Sequence, residues 1–318
     1  MTPNQAAEFL AAHDRYLILT HVRPDGDTIG CAAALCLGLR NLGKTAHVLF
    51  NPEATSLYTN YLEGLIAPED YVPGTVVSVD MAARGLFPVN AQKYLDCVDL
   101  AIDHHGSQEY FARETCVDPD RAACAELLYD ILRQLGPVTP EMAVPLYVGI
   151  STDCGCFVYG NTTAGTHRIA ADLLDLGIDA AALNKRHFRT KSAVRMKLEG
   201  MLTAQAELFD QGTVVMGAVT IEMMESLKAT ERDADDISAL LGQMEGVKTA
   251  VTIREQAPDR CKISLRTDPA DLNASTVCAM FGGGGHAAAS GATLHCDVAE
   301  TKRRVLAAIR QVKAGQEG

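Results

Sequence analysis

Short apolar runs that stop at an aspartate or a histidine are the feature that most restricts the fold of this chain. Tyr16-Leu17-Ile18-Leu19-Thr20 leads into His21-Val22-Arg23-Pro24-Asp25-Gly26-Asp27-Thr28-Ile29-Gly30. Thr75 to Val79 ends at Asp80, and Val98 to Ile102 ends at Asp103-His104-His105. A helical run leads through Gly149-Ile150-Ser151-Thr152 to Asp153. Such runs predict buried strands, as does Ala46 to Phe50, and helical periodicity covers about 29–42, 122–135 and 163–176. Strands alternating with helices predict an α/β fold, with a parallel sheet and helices on both faces. Ligands of such sheets collect outside the carboxyl ends of the strands. The acidic and imidazole groups would therefore meet in one crevice.

The pattern changes near residue 185. Lys185, Arg186, Arg189, Lys191, Arg195 and Lys197 crowd together with one acid, Glu199. Strand-like 213–219, 249–253 and 262–266 follow, and helical 299–312 comes last. The expected organisation is a metal-binding catalytic domain over 1–185, a linker over 186–200 and a smaller α/β substrate domain over 201–318. A length of 318 residues suits two domains. Most of the basic stretch is expected to be solvated.

Composition narrows the functions. Lys plus Arg number 28 against 40 Asp plus Glu, a formal net charge of −12, which is unsuited to coating long duplex nucleic acid. A short anionic ligand held by local cations or by metal ions stays open. No apolar run approaches the ~18 residues of a membrane-spanning helix, and the first residues lack the layout of an export signal. Ten cysteines without such a signal are expected as reduced thiols in a cytoplasmic protein away from membranes.

Each motif alone has a plain structural reading, since a strand-end histidine is commonly a surface or capping group and Asp-Gly-Asp can be only a turn. Four of them together are harder to explain that way. Carboxylates with two or three imidazoles and no thiolate suit Mn(II), Mg(II), Fe(II) or Co(II) better than structural zinc. Clustered carboxylates repel one another, and two divalent ions would neutralise them. Two such ions ~3.5–4 Å apart clamp the attacking and leaving oxygens of a phosphoryl displacement.

In combination, the segment from His21 to Gly30, the lone Asp80, the Asp103-His104-His105 triplet and the segment ending at Asp153 resemble the four ordered motifs of the DHH phosphoesterase superfamily. Ser264-Leu265-Arg266, followed by Phe281-Gly282-Gly283-Gly284-Gly285-His286 and Gly291, resembles the DHH-associated C-terminal domain. Length and domain order are similar to the nanoRNase branch, the bifunctional oligoribonucleases and 3′-phosphoadenosine 5′-phosphate phosphatases. The resemblance implies that His21, Asp25 and Asp80 hold one ion, and that Asp27, Asp80, His104 and Asp153 hold the other, with Asp80 bridging. Mn(II) is the expected ion, with Mg, Co or Fe as alternatives. Asp103 would orient an imidazole, and His105 would face the scissile phosphate to stabilise charge or assist proton transfer. The implied step is in-line attack of a metal-bound hydroxide on phosphorus. The chain departs from the family pattern at Cys154, where Thr is frequent, and at Ser290, where Ala is common. Cys154 reads as a small buried side chain, with a soft ligand or a redox-sensitive spot as the alternative.

The glycines before His286 would let backbone N–H groups approach an anion, and Arg266 can grip a phosphate bidentately. Ser264, Arg266, Gly283, Gly284, Gly285 and His286 are the expected substrate contacts; a solvated strand arginine and a flexible loop are the plain alternative. A clamp in one domain and metals in the other would act as a ruler for substrates of a few nucleotides. With no Trp, 9 Tyr and 8 Phe, stacking platforms are few and processive single-strand binding is not expected. The expected reaction is hydrolysis of RNA dinucleotides to mononucleotides, of 3′-phosphoadenosine 5′-phosphate to AMP, or of both. The rivals are a phosphodiesterase of linear or cyclic dinucleotides and a non-catalytic nucleotide-binding regulator, the latter disfavoured because every ligand position is present. A homodimer is permitted.

Overall fold

Five strands build the first sheet: β1 (Tyr16–Leu19), β2 (Ala46–Val48), β3 (Thr75–Val79), β4 (Leu100–Asp103) and β5 (Glu114–Val117). They lie in the order β2-β1-β3-β4-β5, and every pair is parallel. The coordinates are a computed structural model describing residues 1–234 and 237–316. The chain divides into two compact units, Met1–Thr190 and Lys191–Gly318.

In the first unit the strand side chains alternate between two apolar layers, as the period of a strand requires. Tyr16, Ile18, Val77, Val79, Leu100 and Ile102 face the larger core, shared with α1 (Pro3–Ala12), α2 (Gly26–Asn41), α3 (Cys124–Leu135), α4 (Pro140–Asp153) and α5 (Ala164–Asp175). A short α6 (Ala180–Asn184) also packs there through Ala180 and Leu183. Leu17, Leu19 and Val76 face the other layer, closed by Met81, Phe87, Ala91 and Val98 from loops and 3-10 turns. Helical segments thus cover both faces, unequally.

Several details differ from the sequence pattern, among them the start of β4 at Leu100 instead of Val98 and the unexpected α1 and α6. Helix α2 begins three residues earlier than its apolar period, because Asp25 Oδ1 caps it by accepting from the backbone N–H of Asp27 (3.0 Å) and Thr28 (3.2 Å). Strand β2 stops at Val48, two residues short of the expected run. Strand β5 was hidden by its composition, Glu-Thr-Cys-Val, with one buried residue on a sheet edge.

Helices α2 and α4 meet almost backbone to backbone. A Cβ on Gly30 would lie 2.3 Å from the carbonyl oxygen of Pro145, and one on Gly149 would lie 2.8 Å from both Ala125 Cβ and Asp27 Oδ1. The motif glycines therefore set the distance at which the two acid-bearing helices sit.

The second unit begins with α7 (Ala193–Ala204) and forms a mixed sheet. Its strands are β6 (Glu207–Phe209), β7 (Val214–Val219), β8 (Thr249–Ala257), β9 (Arg260–Thr267), β10 (Gly284–Gly285) and β11 (Ala289–Leu294). The order is β10-β11-β9-β8-β7-β6, with β7 and β8 parallel and the other neighbours antiparallel. One face packs on α9 (Ala274–Ala279) and α10 (Val298–Gln316), and the other on α7 and α8 (Ile221–Leu227). The basic stretch is split. Lys185–Arg189 is a π-helical turn of the first unit, and Arg195 and Lys197 lie on α7 of the second. Five of its six cations are exposed; Arg195, partly buried, pairs with Glu199 at 2.7 Å. All ten cysteines are free. Among the described residues no helix is long and apolar enough to cross a membrane.

Gly30→Ala is expected to destabilise the fold by about 1–3 kcal/mol or more, because a rigid carbonyl occupies the space. Gly85→Ala, with open space around it, should stay within about 0.5 kcal/mol. Urea unfolding of the two variants against the parent chain checks this.

Candidate metal centre and active site

Asp80 follows β3 directly, with φ +53°, a left-handed conformation that Asp and Asn tolerate better than most residues. Its N–H donates to the Ile102 carbonyl at 2.9 Å, which fixes the turn against β4. The side chain is 3% exposed, and Oδ1 has no hydrogen-bond partner. An orphaned buried carboxylate oxygen is costly unless something else compensates it.

Imidazoles approach this oxygen without bonding it. His104 Nε2 lies 3.6 Å from Asp80 Oδ1 and 3.4 Å from Asp153 Oδ2. His21 Nε2 lies 3.7 Å from Asp80 Oδ2 and 3.6 Å from Asp25 Oδ1. These gaps are at or beyond hydrogen-bond range and close to the spacing of donors that share one cation at bonds of about 2.1 Å. Three groups of potential ligands result: His21 with Asp25 and Asp80, Asp27 with His104 and Asp153, and Asp80 with His104 and His105. All six expected ligand positions are thus brought together, with Asp80 in two of the groups. The donor set, oxygen and imidazole nitrogen without sulfur, fits a hard or borderline divalent ion.

The backbone fixes the imidazoles. His21 Nδ1 is 2.8 Å from the Val22 carbonyl, and His104 Nδ1 is 3.1 Å from that of Arg121. Each Nδ1 can donate there, which leaves Nε2 as the lone-pair nitrogen facing the acids. Asp27, 1% exposed, accepts from the N–H groups of Cys124 (2.6 Å) and Ala125 (3.0 Å) at the start of α3, where the helix dipole favours an anion. Asp153 is the last residue of α4, and its carbonyl accepts from Asn161 Nδ2 at 3.3 Å.

His105 is held differently. Its Nδ1 lies 2.8 Å from Asp103 Oδ1, which also accepts from the N–H groups of His104 and His105. Asp103 Oδ2 accepts from Gln108 Nε2 at 2.6 Å. Fully buried, with both oxygens engaged, Asp103 aims the His105 ring rather than offering a ligand.

The clustered groups shift one another's proton affinity. Burial disfavours the His21 cation, but Asp25 and Asp80 prevail and carry its pKa up to about 10. The hydrogen bond to Asp103 is the main cause lifting His105 to about 9. Burial, joined by the charges of Asp80 and Asp25 and opposed by His104 and His105, raises Asp153 to about 7. Burial, then the charges of Asp80, Asp153 and Asp25, also pushes Asp27 well above the usual carboxylate range.

Sequence reasoning missed Asn51, Gln108 and Asn161. Asn51 Nδ2 ties Thr20 Oγ1 (2.9 Å) to the His21 carbonyl (2.8 Å). None carries a spacing signal; each acts through a loop contact that only the fold creates. Cys154 is fully buried, and its sulfur accepts from the Phe157 N–H at 3.3 Å, so it packs rather than faces a ligand.

In the second unit Ser264 and Arg266 share a face of β9, alternating with buried Cys261, Ile263 and Leu265. Ser264 pairs with Gly291, which pairs with Gly284; Arg266 pairs with Ala289, whose backbone exchanges hydrogen bonds with His286. Gly284–Gly285 forms the edge strand, Gly283 fits under the Gly291 carbonyl where a Cβ would come within 2.2 Å, and His286 is exposed. The expected contacts therefore lie on and beside three neighbouring strands, β9, β11 and β10, at one side of this sheet.

Residues 15–150 match the DHH family, N-terminal domain, and residues 213–315 match the DHHA1 domain. The chain belongs to the DHH family of phosphoesterases and carries the DHHA1 domain after it. It is 34% identical over 300 residues to the bifunctional oligoribonuclease and PAP phosphatase NrnA of Thermus thermophilus, covering 92% of this chain and 89% of that one. It is 25% identical over 293 residues to the protein of the same name from Bacillus subtilis, covering 90% and 91%. A solved structure of an exopolyphosphatase-related protein from Bacteroides fragilis shares the fold. Its TM-score is 0.89 at 22% identity, over 99% of this chain and 98% of that one.

A divalent ion held by these residues would need Asp153 ionised and His21 neutral, so its binding would expel protons. Mn(II) affinity is expected to rise as the pH is raised from 6 toward 9. Calorimetric titrations in buffers of different ionisation enthalpy should show net proton release; an apparent enthalpy independent of buffer would contradict this.

Proposed function

We propose that this protein hydrolyses very short RNA, dinucleotides above all, to mononucleotides, and 3′-phosphoadenosine 5′-phosphate to AMP, using two divalent ions, of which Mn(II) is the expected one. The observation that carries the reading is the unpartnered buried oxygen of Asp80 at the point where three strand ends and the end of α4 converge. The names and coverage of the relatives support the substrate class. His21, Asp25 and Asp80 would hold one ion, and Asp27, Asp80, His104 and Asp153 the other. When bound, the ions supply Lewis-acid stabilisation of phosphate oxygens and lower the pKa of water.

The chain's own residues do the rest. Asp80, which belongs to two of the potential ligand groups, would offer its carboxylate to both ions. The α3 N–H groups hold Asp27 in place, so its carboxylate needs no rearrangement as charge builds. Gln108 and Asp103 fix the His105 ring with Nε2 outward, where the cation can donate to an oxygen of the reacting phosphate or hand a proton to the departing oxygen. In the second unit Arg266 and Ser264, with the backbone of Gly284 and Gly285 and the His286 ring, are the candidate nucleotide contacts; the Gly283 N–H is already given to the Cys278 carbonyl at 2.9 Å, so Gly283 serves the close packing of this loop. Arg266 suits a phosphate bidentately, and the edge position of Gly284–Gly285 leaves alternate N–H groups unpaired by the sheet.

The test follows product identity over time, with Mn(II), on a 5′-phosphorylated RNA dinucleotide and on 3′-phosphoadenosine 5′-phosphate. The parent chain should release mononucleotides from the first and inorganic phosphate from the second. Asp80→Asn, chosen because Asn also tolerates the left-handed backbone, should release neither while keeping its far-UV circular dichroism. No product from either substrate by the metal-loaded parent chain would overturn the substrate assignment.

A further inference from the structure

Of the seventeen Tyr and Phe side chains, only Phe50, Tyr110 and Tyr159 are exposed, at 56%, 67% and 57%. All three belong to the first unit, in the loops that carry or brace the metal-centre residues. Phe50 follows β2, and the next residue, Asn51, is hydrogen-bonded to the His21 carbonyl. Tyr110 follows the Asp103-His104-His105 turn, and its N–H donates to Gln108 Oε1 (3.1 Å), whose amide nitrogen grips Asp103. Tyr159 lies in the loop after Asp153, its N–H bonded to the Cys154 carbonyl at 3.1 Å. Its ring covers Gly155 so closely that a Cβ there would come within 2.5 Å.

The backbone around the metal-centre residues, though not beside Phe50, is in places held away from its relaxed state. Arg23, Asp80, Tyr110, Cys156 and Phe157 all have φ between +50° and +66°. An exposed tyrosine in that conformation gains nothing from burial to offset the strain, a pattern that accompanies ligand sites. Large aromatic rings left in water beside a phosphate-ester centre have one chemical complement within the same ligand, the nucleobase.

We propose that Phe50, Tyr110 and Tyr159 form a stacking rim that holds the bases of a short single-stranded nucleotide while its phosphate lies on the Asp and His cluster. The inference rests on the hydrolysis of nucleotide esters proposed above and names how that site recognises them. Stacking uses the face every base possesses, so the rim accepts any base sequence and rejects phosphate esters without a base. Three rings in the loops of one centre would serve one to three bases and offer no track along a polymer.

The test compares kcat and KM on a 5′-phosphorylated RNA dinucleotide and on the same backbone lacking both bases. The variants are Phe50→Leu, Tyr110→Leu, Tyr159→Leu and the triple, since leucine keeps the apolar bulk and removes the π face. The parent chain is expected to favour the base-bearing substrate. The triple variant should lose that preference through KM, each effective ring contributing about 5- to 150-fold, and Tyr159→Phe should retain it. An unchanged preference in the triple variant would overturn the rim while leaving the hydrolase intact. A change of oligomeric state at unchanged preference would also overturn it, marking the rings as an interface between copies. No turnover of either substrate by the parent chain would overturn the functional reading, and this inference with it.

Discussion

Four carboxylates, those of Asp25, Asp27, Asp80 and Asp153, share one small volume at the carboxyl ends of a parallel sheet, and their mutual repulsion is the constraint the rest of the site answers. Two like charges 4 Å apart at an effective dielectric of about 20 repel by about 4 kcal/mol. The chain meets this with the N–H groups that open α3 and with three imidazoles, and burial with the neighbouring acids raises the proton affinity of Asp153 and Asp27. What it leaves unmet is Oδ1 of Asp80. Divalent ions would complete the account, since they bring positive charge that can also act on a phosphate.

Close approach comes first in this design, and chemistry second. Asp27 and Asp153 meet only because α2 and α4 touch through Gly30 and Gly149, and Asp80 reaches them only through a left-handed turn. The motif positions that looked like punctuation are therefore part of how the acids are placed. Asp25 does two jobs at once: as the cap of α2 it is the turn residue of the plain structural reading, and it also lies among the potential ligands.

The strands, their order of appearance and the acidic constellation were legible because buried strands write themselves as apolar runs and the site residues sit where those runs stop. Strand β5 was not, because an edge strand with one buried residue lacks the pattern of a core strand, and neither were β6 and β10, which are only three and two residues long, or β11, built largely of small residues. Asn51, Gln108 and Asn161 were silent for another reason. Each is a polar residue at an undistinguished place in the chain, given its role by a partner 31, 5 or 8 residues away in a fold not yet formed. The scarcity of aromatic residues was read correctly as a count, but a count does not reveal that the three exposed rings lie in the loops around one centre.

The central claim is that Asp80 is a carboxylate shared by two ions. The most direct measurement is the number of Mn(II) ions bound per chain, read together with the electron paramagnetic resonance spectrum, for the parent protein and for Asp80→Asn. The account predicts two ions with the spectrum of a coupled pair in the parent, and loss of the coupling with at most one tightly held ion in the variant. A single magnetically isolated ion in the parent, or an unaltered coupled pair in Asp80→Asn, would contradict it.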